Sequence, residues 1–308
     1  MKITVFGGSG FLGSHVCDKL SDAGHEVSIF DKYESPWLRP GQTMIRGDIL
    51  DEDAVSAATQ GAEAVYNFAG IADIGEADAR PVDTVKYNVL GNIITLEAAR
   101  KAGVKRFIFA SSLYVYSRAG GFYRCSKQAC EVYIENCRQA WGLEYTILRY
   151  GSLYGPRADK RNAVYRFVRE ALEHGRIEYF GLPTALREYI HVEDAALCSV
   201  DVLAPEYADC NIILSGIRPM RVGDLLKMIA EMLGRDIEFT FLGDGKSGHY
   251  EITPYSFNPH IGKKMAPRLS MDLGQGLLKV IEDLHRELNP GLATELGYPV
   301  EKDRTFKP

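Results

Sequence analysis

Basic charge is in short supply. The sequence holds 36 lysines and arginines against 41 aspartates and glutamates, a formal net charge of −5. That balance argues against a binder of nucleic acid or of an anionic membrane, since either needs a basic face. An anionic ligand has to be held by a few local arginines and backbone N–H groups. The six cysteines, at 17, 125, 130, 137, 198 and 210, include no CxxC pair and no His/Cys cluster at zinc spacing. That pattern argues against a metal centre and leaves buried or surface thiols in a reducing compartment. No apolar run is long enough to cross a bilayer, and the N-terminus enters a strand directly with no signal peptide. The expectation is a soluble cytoplasmic protein. Internal repeats and low-complexity tracts are missing as well.

What is present is ordinary globular composition: 308 residues, 46% apolar and 25% charged. This suits one compact unit or two closely joined lobes. The first half alternates short β-branched runs with longer periodic segments, the pattern of a parallel sheet flanked by helices. Strands are expected at 3–6, 27–31, 43–46, 64–67, 106–111 and 144–149, and helices near 11–23, 51–60, 82–102 and 124–140. Near-continuous apolar strands such as RFIFAS suit a sheet covered on both faces. After Gly151 the rhythm changes. The polar stretch GSLYGPRADKRN leads to a helix near 163–174, and an amphipathic helix over 221–233 stops at Gly234.

Gly7, Gly10 and Gly13 form G-x-x-G-x-x-G directly after the first strand and at the start of the first helix. Glycine there permits a tight turn and lets a pyrophosphate approach the backbone, while the helix N-terminus offers N–H groups and a positive dipole end. Asp31 ends the second strand, where an acid can bond both ribose hydroxyls and repel a 2′-phosphate, favouring NAD over NADP. A plain turn aspartate is the other reading. Asp48 in RGDI and the NFAG stretch (67–70) follow the third and fourth strands, at ends where open α/β sheets bind ligands. The fold class read from these signals is α/β: a Rossmann-type doubly wound parallel sheet with a smaller C-terminal substrate lobe.

In order along the chain stand GGSGFLG (7–13), Asp31, GDI (47–49), NFAG (67–70) and NVLGNIITLEAARKAGVKRFIFASS (88–112). YRCSK (123–127), RYGSLYGPR (149–157), REYIHVEDAA (187–196) and NIILSG (211–216) follow. On these landmarks the sequence resembles the extended short-chain dehydrogenases/reductases, the NAD-dependent nucleotide-sugar epimerase/dehydratase group (UDP-glucose 4-epimerase-like). The resemblance covers roughly 1–235 and fades beyond Glu238. It implies an NAD-binding Rossmann domain over 1–160, with returning segments near 188–215. A substrate-binding lobe would span 161–288, followed by a loosely held tail at 289–308. It further implies a catalytic set of Ser112, Tyr123 and Lys127. The cofactor set would be Gly7, Gly10, Phe11, Leu12, Gly13, Asp31, Lys32, Asp48, Ile49, Phe68, Ala69, Gly70, Asn88 and Tyr150, with Tyr123 and Lys127. Asp48 would approach the adenine and Asn88 would support the active-site backbone. A nucleotide-diphosphate sugar would meet Ser112, Tyr114, Ser152, Arg187 and Tyr255. Relatives commonly pair the helices corresponding to 82–102 and 124–140 in a homodimer. Cys130, Tyr133 and Ile134, near helical spacing, fit either that face or the monomer core.

The chemistry of the implied set is coherent. A free tyrosine, with a pKa of about 10, is a poor base at neutral pH, so removing a sugar hydroxyl proton requires that value to come down. A lysine four residues on lies over the same helical face, so Lys127 is expected to stabilise the Tyr123 phenolate and reach the nicotinamide ribose. Ser112 can bond the reacting oxygen. Tyr298 and Lys302 share the spacing but have a proline between them and no strand-end serine upstream; Tyr114 and Tyr116 have no lysine partner. Only ten residues separate Ser112 from Tyr123, with Gly120 and Gly121 allowing a sharp turn. One wall of the sugar pocket is therefore expected to be missing or supplied from elsewhere.

Dehydratases of the resembled group carry Asp-Glu after the strand-end residue, where this sequence has Leu113 and Tyr114. Without that acid, elimination of a hydroxyl lacks its proton donor. Hydride chemistry at the sugar 4-position remains. It amounts to epimerisation if the hydride returns on the other face, or to net oxidation or ketone reduction if it does not. A non-catalytic NAD-binding regulator and a reductase of a non-nucleotide ketone are the rival classes. Arg187 is the expected diphosphate ligand, with a surface pairing to Glu188 or Glu193 as the other reading; Arg157 and Arg161 are secondary candidates. His249, Tyr250, Tyr255 and His260 could line the pocket or merely pack.

Overall fold

The computed structural model describes residues 1–243, 248–252, 262–267 and 270–290. The six early apolar runs form strands β1 (Lys2–Phe6), β2 (Glu26–Asp31), β3 (Thr43–Arg46), β4 (Ala64–Asn67), β5 (Arg106–Ser112) and β6 (Glu144–Tyr150). They lie in one parallel eight-stranded sheet, completed by Cys210–Leu214 beside β6 and by Lys263–Met265 at the outer edge. The order from that edge is Lys263–Met265, Cys210–Leu214, β6, β5, β4, β1, β2, β3. Chain direction across the sheet reverses between β1 and β4, which opens a crevice at their carboxyl ends. The edge strand Lys263–Met265 belongs to the sheet although it lies inside the span expected for the substrate lobe.

Alternate strand residues face opposite sides, so each β-strand feeds two cores. Ile3, Val5, Ile29, Tyr66 and Leu148 pack under the helices Phe11–Asp22 and Val192–Asp201. Phe6, Phe30, Val65, Phe107 and Ile147 pack under Glu52–Thr59, Gly91–Lys101 and Gly121–Trp141. A third core joins Phe167, Val168, Leu225, Leu226, Ile229, Leu277 and Leu284 from the helices Ala163–His174, Val222–Leu233 and Leu273–Leu288. None of the described helices is long and apolar enough to cross a membrane.

The segment expected as one helix over 82–102 is more broken. Ile74–Ala79 ends at Arg80, Pro81 starts the next turn, and Val85–Leu90 is π-helical before α geometry resumes at Gly91–Lys101. Proline suits a first helical turn because no N–H is lost there. On the helix Gly121–Trp141, Cys130 and Ile134 are spent in the monomer core at 0% and 1% exposure, while Tyr133 stays exposed.

Candidate active site

A cleft of about 1150 Å³ opens at the carboxyl ends of the strands and runs between the sheet and the third core. Its first part is built from the glycine motif. Gly10 precedes the helix Phe11–Asp22 with extended backbone, and no side chain caps that helix start. The first-turn N–H groups of Phe11, Leu12 and Gly13 thus border the cleft with no side chain in front of them, as a phosphate cradle requires. A Cβ on Gly13 would lie 2.2 Å from the Gly7 carbonyl oxygen, so only glycine lets the turn close. These features fit a dinucleotide pyrophosphate.

Asp31 sits at the lip. Its carboxylate accepts from the N–H of Ser9 at 3.1 Å and of Tyr33 at 3.1 Å. Burial raises its pKa, and those backbone donors oppose the rise. Lys32 and Asp48 form a 3.7 Å ion pair beside it, and Ile49, Phe68, Ala69 and Gly70 continue the lining. Two members of the expected cofactor set are held by hydrogen bonds within the protein. Asn88 is 3% exposed and lies beneath the cleft. The N–H of Ile71 donates to its Oδ1 at 2.6 Å, and its Nδ2 donates to the Ile71 carbonyl at 3.0 Å and to Ser126 Oγ at 2.9 Å. It braces the backbone of the wall, the supporting role expected for it, and the π-helical turn carries it. Tyr150 reaches the cleft, yet its hydroxyl is hydrogen-bonded to Ser199 Oγ at 2.7 Å within the core.

Ser112 ends β5, Tyr123 lies in the first turn of the helix Gly121–Trp141, and Lys127 follows one turn later; all three line the cleft. Ser126 Oγ donates to the Tyr123 carbonyl at 2.7 Å, so Asn88 also steadies this helix start. Burial pushes the Tyr123 hydroxyl up to about 12, while a hydrogen bond with Ser112 works the other way. Lys127 Nζ donates to the Ala110 carbonyl at 2.8 Å and lies 5.7 Å from the centre of the Tyr123 ring. Burial lowers its pKa. The expected lowering of Tyr123 by Lys127 is not found in the protein alone: burial sets the direction of the shift, and Ser112 is the group that opposes it.

The short link between Ser112 and Tyr123 is a 3₁₀ turn, Leu113–Tyr116, followed by Gly120 and Gly121 at φ of +95° and +46°. A Cβ on Gly121 would lie 2.1 Å from Asp78 Oδ1. The same Oδ1 accepts from the Phe122 N–H at 2.9 Å, capping the helix start from a distant segment. Asp78 lines the cleft and carried no sequence signal. Tyr116 packs in the core, its ring 4.8 Å from the Arg149 guanidinium. Tyr114 lines the cleft, and its hydroxyl is hydrogen-bonded to His249 Nδ1.

Arg187 is buried and also lines the cleft. Nη1 donates to the carbonyls of Leu186 at 2.8 Å and Tyr250 at 2.6 Å, and Nη2 donates to Tyr179 Oη at 3.3 Å. Glu188 is engaged by Ser215 at 2.5 Å and Lys264 at 2.8 Å, and Glu193 approaches Lys279. Among the described residues Arg187 therefore has no carboxylate partner, and the surface-pair reading fails. Ser152 lines the same region. Arg157 turns away to Asp18 at 2.7 Å and stacks on Trp37. Arg161 lines the cleft but is paired with Asp159 at 2.5 Å. Arg166, which the sequence did not single out, also lines it. Tyr255, His260, Tyr298 and Lys302 lie outside the described residues.

The profile of the NAD dependent epimerase/dehydratase family matches residues 3–212. A putative UDP-glucose 4-epimerase from Methanocaldococcus jannaschii is 30% identical over 253 residues, covering 75% of this chain and 82% of the relative. A UDP-glucose 4-epimerase from Bacillus subtilis is 27% identical over 291 residues, covering 78% of this chain and 85% of the relative. Among solved structures, the UDP-glucose 4-epimerase of Thermotoga maritima with UDP-glucose superposes with a TM-score of 0.81 at 27% identity, covering 94% of this chain and all of that one. The crevice at the strand ends, its glycine cradle and the profile match agree, and the chain belongs to the NAD-dependent epimerase/dehydratase family as an NAD-dependent sugar-nucleotide enzyme.

Proposed function

We propose that the protein is a nucleotide-sugar 4-epimerase, with Ser112, Tyr123 and Lys127 as its catalytic set. The observation that carries this reading is the convergence of those three side chains in one cleft with the glycine cradle, while the two positions after Ser112 hold Leu113 and Tyr114. Bound NAD supplies the hydride acceptor and donor. Tyr123 takes the proton of the sugar 4-hydroxyl, and Ser112 bonds the same oxygen as it becomes a carbonyl. Lys127 keeps its place through Ala110 and contributes positive charge near the phenolate. Arg187, free of carboxylates among the described residues, binds the diphosphate. Leu113 cannot protonate a leaving hydroxyl, and burial raises the Tyr114 hydroxyl well above its usual pKa, which disfavours it as an acid. That speaks against 4,6-elimination.

The relatives named above are UDP-glucose 4-epimerases, so UDP-hexoses head the substrate panel. The test is incubation with UDP-, GDP-, CDP- and dTDP-hexoses, following 340 nm absorbance (the usual signal of reduced nicotinamide) and product stereochemistry. Epimer without net NADH supports the reading. Stoichiometric NADH replaces it with an oxidase, and no turnover of any sugar overturns it. A homodimer through the helices around 82–102 and 124–140 is part of the proposal. Val82, Val85, Val132 and Tyr133 are exposed there at 65%, 56%, 66% and 49%. Light scattering that gives a monomer mass would refute it.

A further inference from the structure

The link between Ser112 and Tyr123 is short, and a segment more than a hundred residues away in sequence packs against it. Residues 248–252 are tied down at four points. The Gly120 N–H donates to the Gly248 carbonyl at 2.8 Å, and the Leu186 N–H donates to the Glu251 carbonyl at 2.7 Å. Arg187 Nη1 donates to the Tyr250 carbonyl at 2.6 Å, and the Tyr114 hydroxyl is bonded to His249 Nδ1. The Tyr250 ring completes the tie, with the Tyr114 ring 4.8 Å away and the Arg187 guanidinium 4.6 Å away.

One strap therefore touches both the arginine assigned to the diphosphate and the turn that follows the catalytic serine. Gly248, His249 and Tyr114 face the cleft. The Tyr114 ring stands edge-on to Tyr123 at 6.3 Å, so this pair flanks the space next to the proposed base. Burial holds His249 down at about 4, which keeps the imidazole neutral at physiological pH. A neutral tyrosine–histidine couple presents a polar, aromatic surface that suits an uncharged ring bearing hydroxyls.

We propose that residues 248–252 form the wall of the hexose pocket, and that Tyr114 and His249 are its specificity-determining pair, contacting the sugar unit of a nucleotide-diphosphate hexose. This rests on the nucleotide-sugar reading given above. The strap does for this short-looped chain what residues between the strand-end serine and the tyrosine would otherwise do. It also links sugar recognition to Arg187, because Tyr250 serves both.

Tyr114→Phe and His249→Ala, in the full chain with NAD, separate the possibilities. Tyr114→Phe removes one hydroxyl and leaves the ring packing in place. Each variant is compared with wild type for kcat and KM on paired UDP-hexoses and their 2-acetamido counterparts, and for UDP affinity by calorimetry. The expected result is a fall of about tenfold or more in kcat/KM on the preferred sugar, as for loss of one buried hydrogen bond. UDP affinity should stay within about twofold, and discrimination between the paired sugars should narrow. Unchanged discrimination in both variants overturns the proposal. So does a loss of UDP affinity equal to the loss of turnover, which would make the strap a prop for Arg187 alone. A wild-type protein that binds NAD but neither binds nor converts any nucleotide sugar overturns the nucleotide-sugar reading, and the wall with it. Wild-type turnover with indifferent variants overturns the wall alone.

Discussion

Replacing Asn88 with alanine removes one amide that satisfies three buried groups. The Ile71 N–H loses its acceptor at 2.6 Å, the Ile71 carbonyl loses its donor at 3.0 Å, and Ser126 Oγ loses the N–H that reaches it at 2.9 Å. Ser126 keeps its bond to the Tyr123 carbonyl, so its loss is partial. The two Ile71 groups are left without partners in a site where Asn88 is 3% exposed. At roughly 1–3 kcal/mol for each buried group left unpaired, the cost comes to about 2–6 kcal/mol. Aspartate is the informative companion. It can still accept from the Ile71 N–H, yet it cannot donate to the Ile71 carbonyl, and it sets two oxygens against each other. Asn88→Asp is therefore expected to be destabilised as well, despite its nearly equal volume. The assay is urea unfolding followed by far-UV circular dichroism, with linear extrapolation. Turnover is measured alongside, because both Ile71 beside Gly70 and the backbone of Tyr123 are steadied through this one residue. An Asn88→Ala protein within 1 kcal/mol of wild type on the ~1–3 kcal/mol scale of such losses, with unchanged turnover, would refute the bracing role.

Tyr123→Phe should lower turnover by roughly 10²–10⁴-fold, the range for losing a general base, while NAD binding by fluorescence titration stays nearly unchanged; wild-type turnover would dismiss the catalytic assignment. Asp31→Ser should cut the preference for NADH over NADPH about tenfold or more in the same titration, from losing charge-assisted bonds to ribose; an unshifted ratio would return Asp31 to a turn residue. His191 supplies a pH test. It is buried, its Nδ1 accepts from the Glu193 N–H, and burial brings its pKa from 6.5 to about 4. The unfolded chain binds this proton first, so stability is full above pH 6.5 and falls as pH drops from 6.5 to about 4. His191 should account for up to about 3 kcal/mol of that fall. His191→Asn keeps a capping acceptor without the titration, so its urea midpoint should decline less over that window; parallel curves would show that His191 does not titrate as argued.

Most of the sheet was legible in the sequence because a strand buried on both faces must be apolar along its length, and runs such as RFIFAS leave few other options. The glycine cradle was legible for a local reason, since a tight turn, a helix start and a strand end lie within a dozen residues. Elsewhere the controlling forces are not local. The π-helical turn at Val85–Leu90 keeps an ordinary helical composition, and the bonds that its Asn88 makes to Ile71 and Ser126 join segments distant in sequence. The tyrosine–lysine spacing correctly brought Lys127 beside Tyr123, yet spacing carries no information about desolvation, which decides the direction of the Tyr123 shift. At 248–252 the sequence offered His249 and Tyr250 as pocket candidates, but what they touch was hidden for a related reason. Tyr114 and His249 are 135 positions apart, and nothing local to either residue announces the other. Asp78 reaches the helix Gly121–Trp141 across 44 positions in the same way.

The outer edge of the sheet bears on how the chain can be handled. Lys263–Met265 covers Cys210–Leu214, whose CNIIL sequence is buried over its last four residues. Two of the three covering residues are lysines, charges that discourage one edge strand from pairing with another molecule's. A fragment cut near 235, where the resemblance fades, would lose that cover and present an uncharged, apolar strand edge to solvent. Such an edge is a template for intermolecular pairing, and the fragment should aggregate even with its glycine cradle intact. The half of the chain that carries the glycine motif is therefore expected to need residues 263–265 to stay in solution.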